Sequence, residues 1–213
     1  MTQEQQPSIQ LHQLTKQFTD QVIFQKINYT WQGTGIFVLS GANGAGKSTL
    51  LQMIVGMESL TSGQIYINGQ VLQQERVAQQ LAFVPDTMVA YPFITGREFL
   101  AFIASLRQVP MIKALELVDL FTIQTFLDIR FDAMSFGTAK KFMLISAFMS
   151  NTSILIFDEP THGLDSKSLQ VFQQLLSQAA QNKLILMTCH DLHLQQQLQM
   201  KHVDMQDLIG EAA

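Results

Sequence analysis

Residues 36–55 read IFVLSGANGAGKSTLLQMIV, and this stretch decides the fold. The apolar segment 36–40 is predicted to be a buried strand, and 47–55 continues as an apolar helix. Between them, GANGAGKST at 41–49 matches the pattern G-x-x-x-x-G-K-[ST]. A glycine-rich turn that opens a helix directs backbone N–H groups at phosphate oxygens. The sequence therefore predicts a phosphate-binding loop between a strand and a helix.

Every residue of this loop is a candidate ligand of a nucleotide. Lys47 is expected to reach the β- and γ-phosphates, and the Ser48 hydroxyl to ligate Mg²⁺. The other members supply backbone N–H groups or close backbone approach, and they are Gly41, Ala42, Asn43, Gly44, Ala45, Gly46 and Thr49.

A second chemical feature is the pair of carboxylates in ILIFDEP at 154–160. The pair ends a predicted buried strand, and ligand sites of α/β sheets lie at the carboxyl ends of strands. Asp158 is then suited to hold Mg²⁺, mostly through water, and Glu159 to polarise an attacking water. On its own the pair is also compatible with a strand that runs into a solvated turn.

The rest of the chain divides into α/β segments around a helical stretch. Strands are predicted at 22–29, 64–68, 81–84 and 184–187, in addition to those at 36–40 and 154–157. Helical spacing of apolar residues occupies 96–106, 111–120 and 139–149, and an amphipathic helix is expected at 166–179. These patterns predict an α/β fold in which residues 87–150 form an inserted helical subdomain.

Composition narrows the class of protein. Of the 213 residues, 47% are hydrophobic and 14% are charged, and the net charge is −4. This charge gives no electrostatic reason to expect a nucleic acid partner. The single cysteine, Cys189, excludes an internal disulfide and is expected to be a small apolar filler. The N-terminal residues lack the pattern of a signal peptide, and no apolar run approaches the length of a membrane span.

Further motifs make the chain resemble the ATP-binding subunit of ABC transporters. The phosphate loop is followed by DEPTHGLD at 158–165 and LILMTCHD at 184–191, in the family's order. The resemblance implies one ATPase domain over 1–213, with a P-loop NTPase core at 1–86 and 151–213. That core would hold a mainly parallel sheet flanked by helices, together with an antiparallel β part. The helical subdomain at 87–150 would carry the family's signature segment.

Three further residues take roles through the resemblance. LTKQFTD at 14–20 is similar to the segment whose aromatic residue stacks on adenine, and this implies that role for Phe18. The alternative is that Phe18 is an ordinary strand residue facing the core. His190 is similar to the histidine that contacts the γ-phosphate, and Asp165 to the loop that crosses to the opposite subunit. In that loop His162 replaces a residue that is usually small or polar.

The signature segment departs from its usual form. MSFGT at 134–138 stands where the family has LSGGQ, so that Ser135 and Gly137 match while Phe136 and Thr138 do not. The signature caps a helix N-terminus against ATP bound to the other subunit, which requires the serine hydroxyl and the close approach at glycine. The departure therefore bears on the rate of turnover rather than on the mechanism.

A second departure concerns Asp86 in AFVPD, where the family usually has glutamine. Asp86 can still hold Mg²⁺ through water, but it cannot donate a hydrogen bond as glutamine does. This segment, with YPFITGREFL at 91–100, resembles a subgroup of exporter ATPases that serve drug, antibiotic or polysaccharide permeases.

The apolar run Met88–Ile94 is expected to line a groove that receives a short helix of the membrane partner, or else to pack between core and insert.

The resemblance implies an assembly of two ATPase chains with a membrane permease, and two other classes of protein stay open as alternatives. ATP and Mg²⁺ would be bound between two chains, a homodimer or a heterodimer, that power a transmembrane permease from the inner face of the cell membrane. One alternative is a soluble ABC-type ATPase acting in translation or on DNA. The other is a regulatory nucleotide binder that hydrolyses poorly.

Overall fold

A computed structural model of the chain describes residues 6–19, 21–87 and 92–210. Its strands are β1 (Ser8–Phe18), β2 (Gln21–Gln32), β3 (Gly35–Ser40), β4 (Ser62–Ile67), β5 (Gln70–Val71), β6 (Leu81–Val84), β7 (Ile154–Phe157), β8 (Leu184–Thr188) and β9 (Lys201–Asp204). Its helices are α1 (Lys47–Ile54), α2 (Val77–Gln80), α3 (Gly96–Arg107), α4 (Met111–Leu120), α5 (Phe136–Phe148), α6 (Ser166–Ala179), α7 (Leu192–Gln197) and α8 (Met205–Gly210).

The first layer is an antiparallel sheet in the order β2-β1-β4-β5. Its buried side chains, which include Ile9, Phe24 and Trp31, share one apolar cluster with Leu51 and Ile54 of α1. This sheet therefore covers α1 and one side of the second sheet.

The second layer is a parallel sheet in the order β6-β7-β8-β3-β9. Every residue of β7 and β8 is buried, as expected for central strands with both faces covered. Because parallel strands end at the same edge, the residues that follow β3, β6, β7 and β8 meet there. This edge brings together the glycine loop, Asp86, the two carboxylates and His190.

The helical part packs on the other side of the parallel sheet. A capping box between Thr95 and Glu98 starts α3, and Ser135 caps the start of α5. At Gly96 a Cβ atom would lie 2.4 Å from Phe142 Cζ, so the two helices approach closely. Phe142 and Leu155 belong to the same buried cluster, which fixes α5 against the sheet.

The predicted fold class is confirmed, and several element boundaries are met in full. β6, β7, α4 and α6 occupy the residues that the sequence patterns indicate. Within 92–150 the helices and short turns described agree with a helical insert, although its division from the core stays a prediction. None of the helices in the described residues has the length and apolarity needed to cross a membrane.

Several elements differ from the sequence expectation: β5, α2, α7 and α8 are absent from it, and β1, α5 and β9 differ for reasons that the structure shows. Apart from the alternative in which Phe18 is a strand residue, the sequence patterns predict no strand at β1, because its polar residues and register shifts after Leu11, Leu14 and Lys16 break the alternation that marks a strand. Helix α5 begins at Phe136, ahead of the expected Ala139, because the Ser135 side chain caps it. β9 also went unpredicted, since KHVD carries a polar pattern typical of loops.

Candidate functional site

The glycine loop joins β3 to α1 with backbone that only glycine adopts easily. Gly44 and Gly46 have φ values of 82° and 91°. A Cβ atom at Gly46 would lie 2.7 Å from Ile23 Cγ2 and 2.8 Å from Phe24 Cζ. The loop is thus fixed by its own conformation and by contact with β2.

Lys47 begins α1 and folds back over this loop. Its Nζ donates hydrogen bonds to the carbonyl oxygens of Gly41, at 2.8 Å, and Ala42, at 3.0 Å. No described side chain caps the N-terminus of α1. The positive end of the helix dipole and the Lys47 ammonium therefore lie on the same side of the loop.

A buried hydroxyl links the two carboxylate residues. Thr188 Oγ1 donates to Asp158 Oδ1 at 2.6 Å and accepts the backbone N–H of Glu159 at 2.9 Å. Asp158 is 5% exposed and its backbone N–H donates to the carbonyl of Val84, so its position is fixed from two sides. Sequence reasoning missed Thr188, because a threonine that ends an apolar strand carries no motif of its own.

Glu159 and His190 form the next pair in the site. Glu159 has a left-handed backbone conformation, with φ of 43°, which is uncommon for a residue other than glycine. Its Oε1 lies 3.2 Å from His190 Nε2. Backbone strain of this kind persists when surrounding contacts hold it, and here the Thr188 hydroxyl binds the Glu159 N–H.

These residues line one cleft of about 370 Å³. The predicted residues on its wall are Asn43, Gly44, Gly46, Lys47, Ser48, Thr49, Asp86, Asp158, Glu159 and His190. Ile23 of β2 also lines it, and the sequence offered no signal for this beyond its place in a strand. The cleft thus combines backbone N–H groups, one ammonium, hydroxyls and carboxylates, which suits a phosphorylated ligand with a divalent cation.

The oxygen donors expected for magnesium lie on this same wall. Ser48, Asp158 and Asp86 supply a hydroxyl and two carboxylates, all hard donors of the kind that Mg²⁺ prefers. Within the described ranges no group of three or more His, Cys, Asp or Glu side chains could hold a metal by itself. Mg²⁺ is commonly bound by one or two carboxylates together with the phosphates of a substrate, and Asp86 and Asp158 suit that pattern.

Asp86 has polar neighbours from two other segments. Its Oδ1 lies 2.9 Å from His162 Nδ1 and 4.0 Å from Lys140 Nζ. The same ammonium donates to the backbone carbonyls of Pro85 and Asp86, at 2.9 and 3.0 Å. Sequence reasoning noted His162 only as a departure and did not single out Lys140.

The signature segment lies apart from the cleft wall of its own chain. Ser135 Oγ accepts the backbone N–H of Thr138 at 3.2 Å, and a Cβ at Gly137 would lie 2.3 Å from the Gly163 carbonyl oxygen. The Phe136 ring lies 5.1 Å from the His162 ring. The N-terminus of α5 therefore packs on the turn that follows the carboxylates.

Phe18 and Asp165 also lie outside the cleft wall. Phe18 is 44% exposed, so the alternative in which it faces the core is wrong, and Lys16 Nζ lies 4.4 Å from its ring centroid. The Asp165 carboxylate caps α6 through Ser168 and pairs with Lys141 at 2.8 Å. Its hydrogen bond from Lys141 holds the pKa of Asp165 well below its usual value.

The structure agrees with the expectation for Cys189 but describes only part of the apolar run Met88–Ile94. Cys189 is 6% exposed and lies in the apolar cluster, and burial raises the pKa of its thiol. Of the apolar run expected to dock a partner, residues 88–91 lie outside the described residues. Phe93 is 62% exposed, whereas Ile94 packs against the core.

Comparison with known proteins gives a consistent set of relatives. The model of a family described as ABC transporter matches residues 24–162. The zinc import ATP-binding protein of Rickettsia bellii is 31% identical over 189 residues, which cover 87% of this chain and 77% of that protein. A phospholipid-transporting ATPase of Mus musculus is 30% identical over 161 residues, which cover 73% of this chain but only 9% of that longer protein.

A solved structure supports the same grouping. The structure described as the ATP binding subunit of an ABC transporter matches with a TM-score of 0.79 and 26% identity. The match covers 89% of this chain and 82% of that one. The agreement therefore extends over most of the chain rather than over the glycine loop alone.

Proposed function

Because the chain belongs to the ABC transporter family, whose ATPase domain it represents, we propose that it binds ATP with Mg²⁺ between two copies and powers a separate membrane permease. The observation that carries the proposal is the cleft in which Lys47, Ser48, Asp158, Glu159 and His190 converge. The mouse relative is far longer than this chain, so the permease and the assembly around it are part of the proposal.

The glycine loop is the phosphate site in this proposal. Backbone N–H groups of 41–49 and the N-terminus of α1 bind phosphate oxygens, and Lys47 moves its ammonium from the loop carbonyls to the β- and γ-phosphates. Ser48, Asp158 and Asp86 would hold Mg²⁺ directly or through water. When bound, the cation neutralises phosphate charge and polarises the γ-phosphate.

Glu159 and His190 carry the hydrolytic step. The Glu159 carboxylate orients a water and accepts its proton as the water oxygen attacks the γ-phosphorus and the bond to the β-phosphate oxygen breaks. His190, 3.2 Å from Glu159 Oε1, orients that carboxylate and contacts the γ-phosphate. Both side chains lie together at the cleft, which argues against the alternative of a regulatory binder that hydrolyses poorly.

The second half of each ATP site comes from the other chain. Ser135 and Gly137 lie outside the cleft of their own chain, which supports their use against ATP held by a partner copy. Asp165 pairs with Lys141 of the same helix α5 at 2.8 Å, and we propose that it faces the same partner copy. Phe18 would stack on adenine through the ring face opposite Lys16, and such stacking contributes about 1–3 kcal/mol.

The permease would dock beside Asp86. A groove of about 500 Å³ lined by Gln52, Met57, Phe83 and Met143 lies next to the cleft, and Met57 is 66% exposed. Adaptable Met and aromatic side chains suit a short helix of a membrane partner. We propose an exporter on the basis of the segments at 82–86 and 91–100, although the Rickettsia relative is described as an importer.

The decisive experiment is ATP-dependent dimerisation of the Glu159→Gln variant. Glutamine keeps a hydrogen bond to His190 but cannot take a proton, so we expect ATP binding at wild-type affinity and turnover reduced at least about a hundredfold. Size-exclusion chromatography with light scattering should show a dimer with ATP and a monomer without it. A variant that stays monomeric and hydrolyses ATP at the normal rate would refute the mechanism.

A further inference from the structure

Lys140 is a buried cation beside the cleft that the mechanism above does not use. Its side chain is 1% exposed and lies on α5, five residues after the Ser135 cap. Its Nζ donates to the carbonyl oxygens of Pro85 and Asp86, at 2.9 and 3.0 Å, and lies 4.0 Å from Asp86 Oδ1. A buried ammonium is costly unless hydrogen bonds and opposite charges surround it.

Three carboxylates partly offset the cost of burying the Lys140 charge. Burial lowers the pKa of Lys140, while the carboxylates of Asp86, Asp158 and Glu159 act in the opposite direction. The ring of Phe136 lies 5.9 Å from the ammonium and adds a weak cation–π contact. A positive charge is thus held among the three carboxylates that border the cleft.

Charge balance at the cleft explains why such a cation is useful. Asp86, Asp158 and Glu159 all line the cleft, whereas Lys47 is the ammonium among its lining residues. A polyphosphate adds further negative charge, and each carboxylate that is not offset repels it. Lys140 is not part of the cleft wall, so it would act on the ligand through Asp86 and the Pro85–Asp86 turn.

We propose that Lys140 is a positioning residue that offsets the Asp86 carboxylate and holds the Pro85–Asp86 turn, so that the cleft accepts Mg²⁺ and a polyphosphate. The inference rests on the proposed ATP-binding function. The proposed role of Lys140 also connects the Pro85–Asp86 turn to the signature segment, because Lys140 lies on α5, the helix that Ser135 caps.

The test compares Lys140→Gln with the double variant Asp86→Asn/Lys140→Gln. Glutamine can still donate to the turn carbonyls but carries no charge, so we expect the single variant to bind Mg²⁺–ATP about tenfold more weakly by calorimetry. In the double variant, asparagine at position 86 keeps an oxygen that can hold Mg²⁺ through water but removes the charge that Lys140 offsets. Its affinity should therefore return to within about threefold of the wild type. Lys140→Arg, which keeps the charge, should bind within about threefold as well.

Controls separate this inference from the proposed function and from a folding defect. Lys113→Gln removes an exposed lysine that bonds to Asn151 Oδ1, and it should leave ATP affinity and turnover unchanged. Thermal melting of each variant identifies loss of fold. If Lys140→Gln does not fold, Lys140→Met with its Asp86→Asn partner still tests the charge, although methionine also removes the hydrogen bonds to the turn.

A wild-type chain that fails to bind ATP refutes both proposals. Unchanged affinity in an uncharged Lys140 variant, or a double variant no tighter than the single one, overturns the role of Lys140 alone.

Discussion

At the scale of single residues, the site depends on one hydroxyl as much as on its carboxylates. Thr188 is 1% exposed, and its one O–H proton goes to Asp158 while an oxygen lone pair accepts the Glu159 N–H. The hydroxyl therefore contacts both the proposed magnesium ligand, Asp158, and the backbone of the proposed general base, Glu159. Residues that orient ligands in this way often matter nearly as much as the ligands.

Thr188→Val is expected to lower kcat about tenfold to a hundredfold, because it keeps the side-chain shape but removes both hydrogen bonds. The KM for ATP should change less, since the glycine loop is untouched. Steady-state ATPase assays at several ATP and Mg²⁺ concentrations measure the effect.

Thr188→Ser is the matched control, because it retains the hydroxyl and loses a methyl group. It should hydrolyse ATP near the wild-type rate while losing about 1 kcal/mol of stability. A valine variant with wild-type kcat would show that the hydroxyl serves packing alone.

The residues that sequence reasoning found differ in kind from those it missed. Lys47, Asp158 and Glu159 belong to patterns whose spacing reflects chemistry, so the amino-acid sequence alone identifies them. Ile23 lines the cleft, and Thr188 and Lys140 contact residues of its wall. All three do so through strand register and helix packing, which pair residues far apart in sequence. Such contacts leave no local pattern.

At the scale of elements, the contact between α5 and the turn at Gly163 leaves no room for added side chains. A Cβ at Gly137 would lie 2.3 Å from the Gly163 carbonyl oxygen, and one at Gly163 would lie 2.5 Å from Phe136 Cδ1. Neither segment can accept a side chain without moving the other. The start of α5 is therefore tied to the loop that follows the carboxylates.

Gly137→Ala should keep ATP affinity and reduce turnover at least about tenfold, since alanine favours the helix but displaces its first turn from Gly163. Calorimetry with Mg²⁺–ATP and an ATPase assay distinguish the two quantities. Ser166→Ala, at an exposed position in the first turn of α6, is the control and should leave both unchanged. Normal turnover in Gly137→Ala would mean that this close approach has no role in the reaction.

Element boundaries were predictable where burial was uniform and less so where it was mixed. β7 is apolar throughout and its bounds follow from the sequence directly. β1 alternates irregularly because its pairing shifts register three times, so a period-two pattern does not form. The start of α5 is decided by the Ser135 cap, and the helical spacing of apolar residues begins only later.

At the scale of the whole molecule, the proposal requires that each ATP site be shared by two chains. Lys47→Ala disables the cleft, and Ser135→Ala disables the segment offered to the partner. Neither variant alone should hydrolyse ATP, because every site in its dimer is defective. A mixed dimer contains one site with Lys47 and Ser135 both intact.

Mixing equal amounts of these two variants should therefore restore activity. Random pairing makes half of the dimers mixed, each with one functional site, so the expected rate is about a quarter of the wild type if sites act independently. ATPase assays before and after mixing measure the recovery, and Lys47→Ala mixed with Glu159→Gln serves as the control because both defects lie in the same half of the site. Equal rates before and after mixing would contradict a shared site.

The burial of Cys189 has a practical consequence for observing that assembly. It is the single cysteine of the chain, 6% exposed, with a thiol whose pKa burial raises, so at neutral pH it stays protonated and reacts slowly with maleimides. A fluorophore could therefore be attached through Lys167→Cys, an exposed position, while the natural thiol remains in place. Energy transfer between labels on two copies would then follow the opening and closing of the pair in a chain whose interior is unaltered.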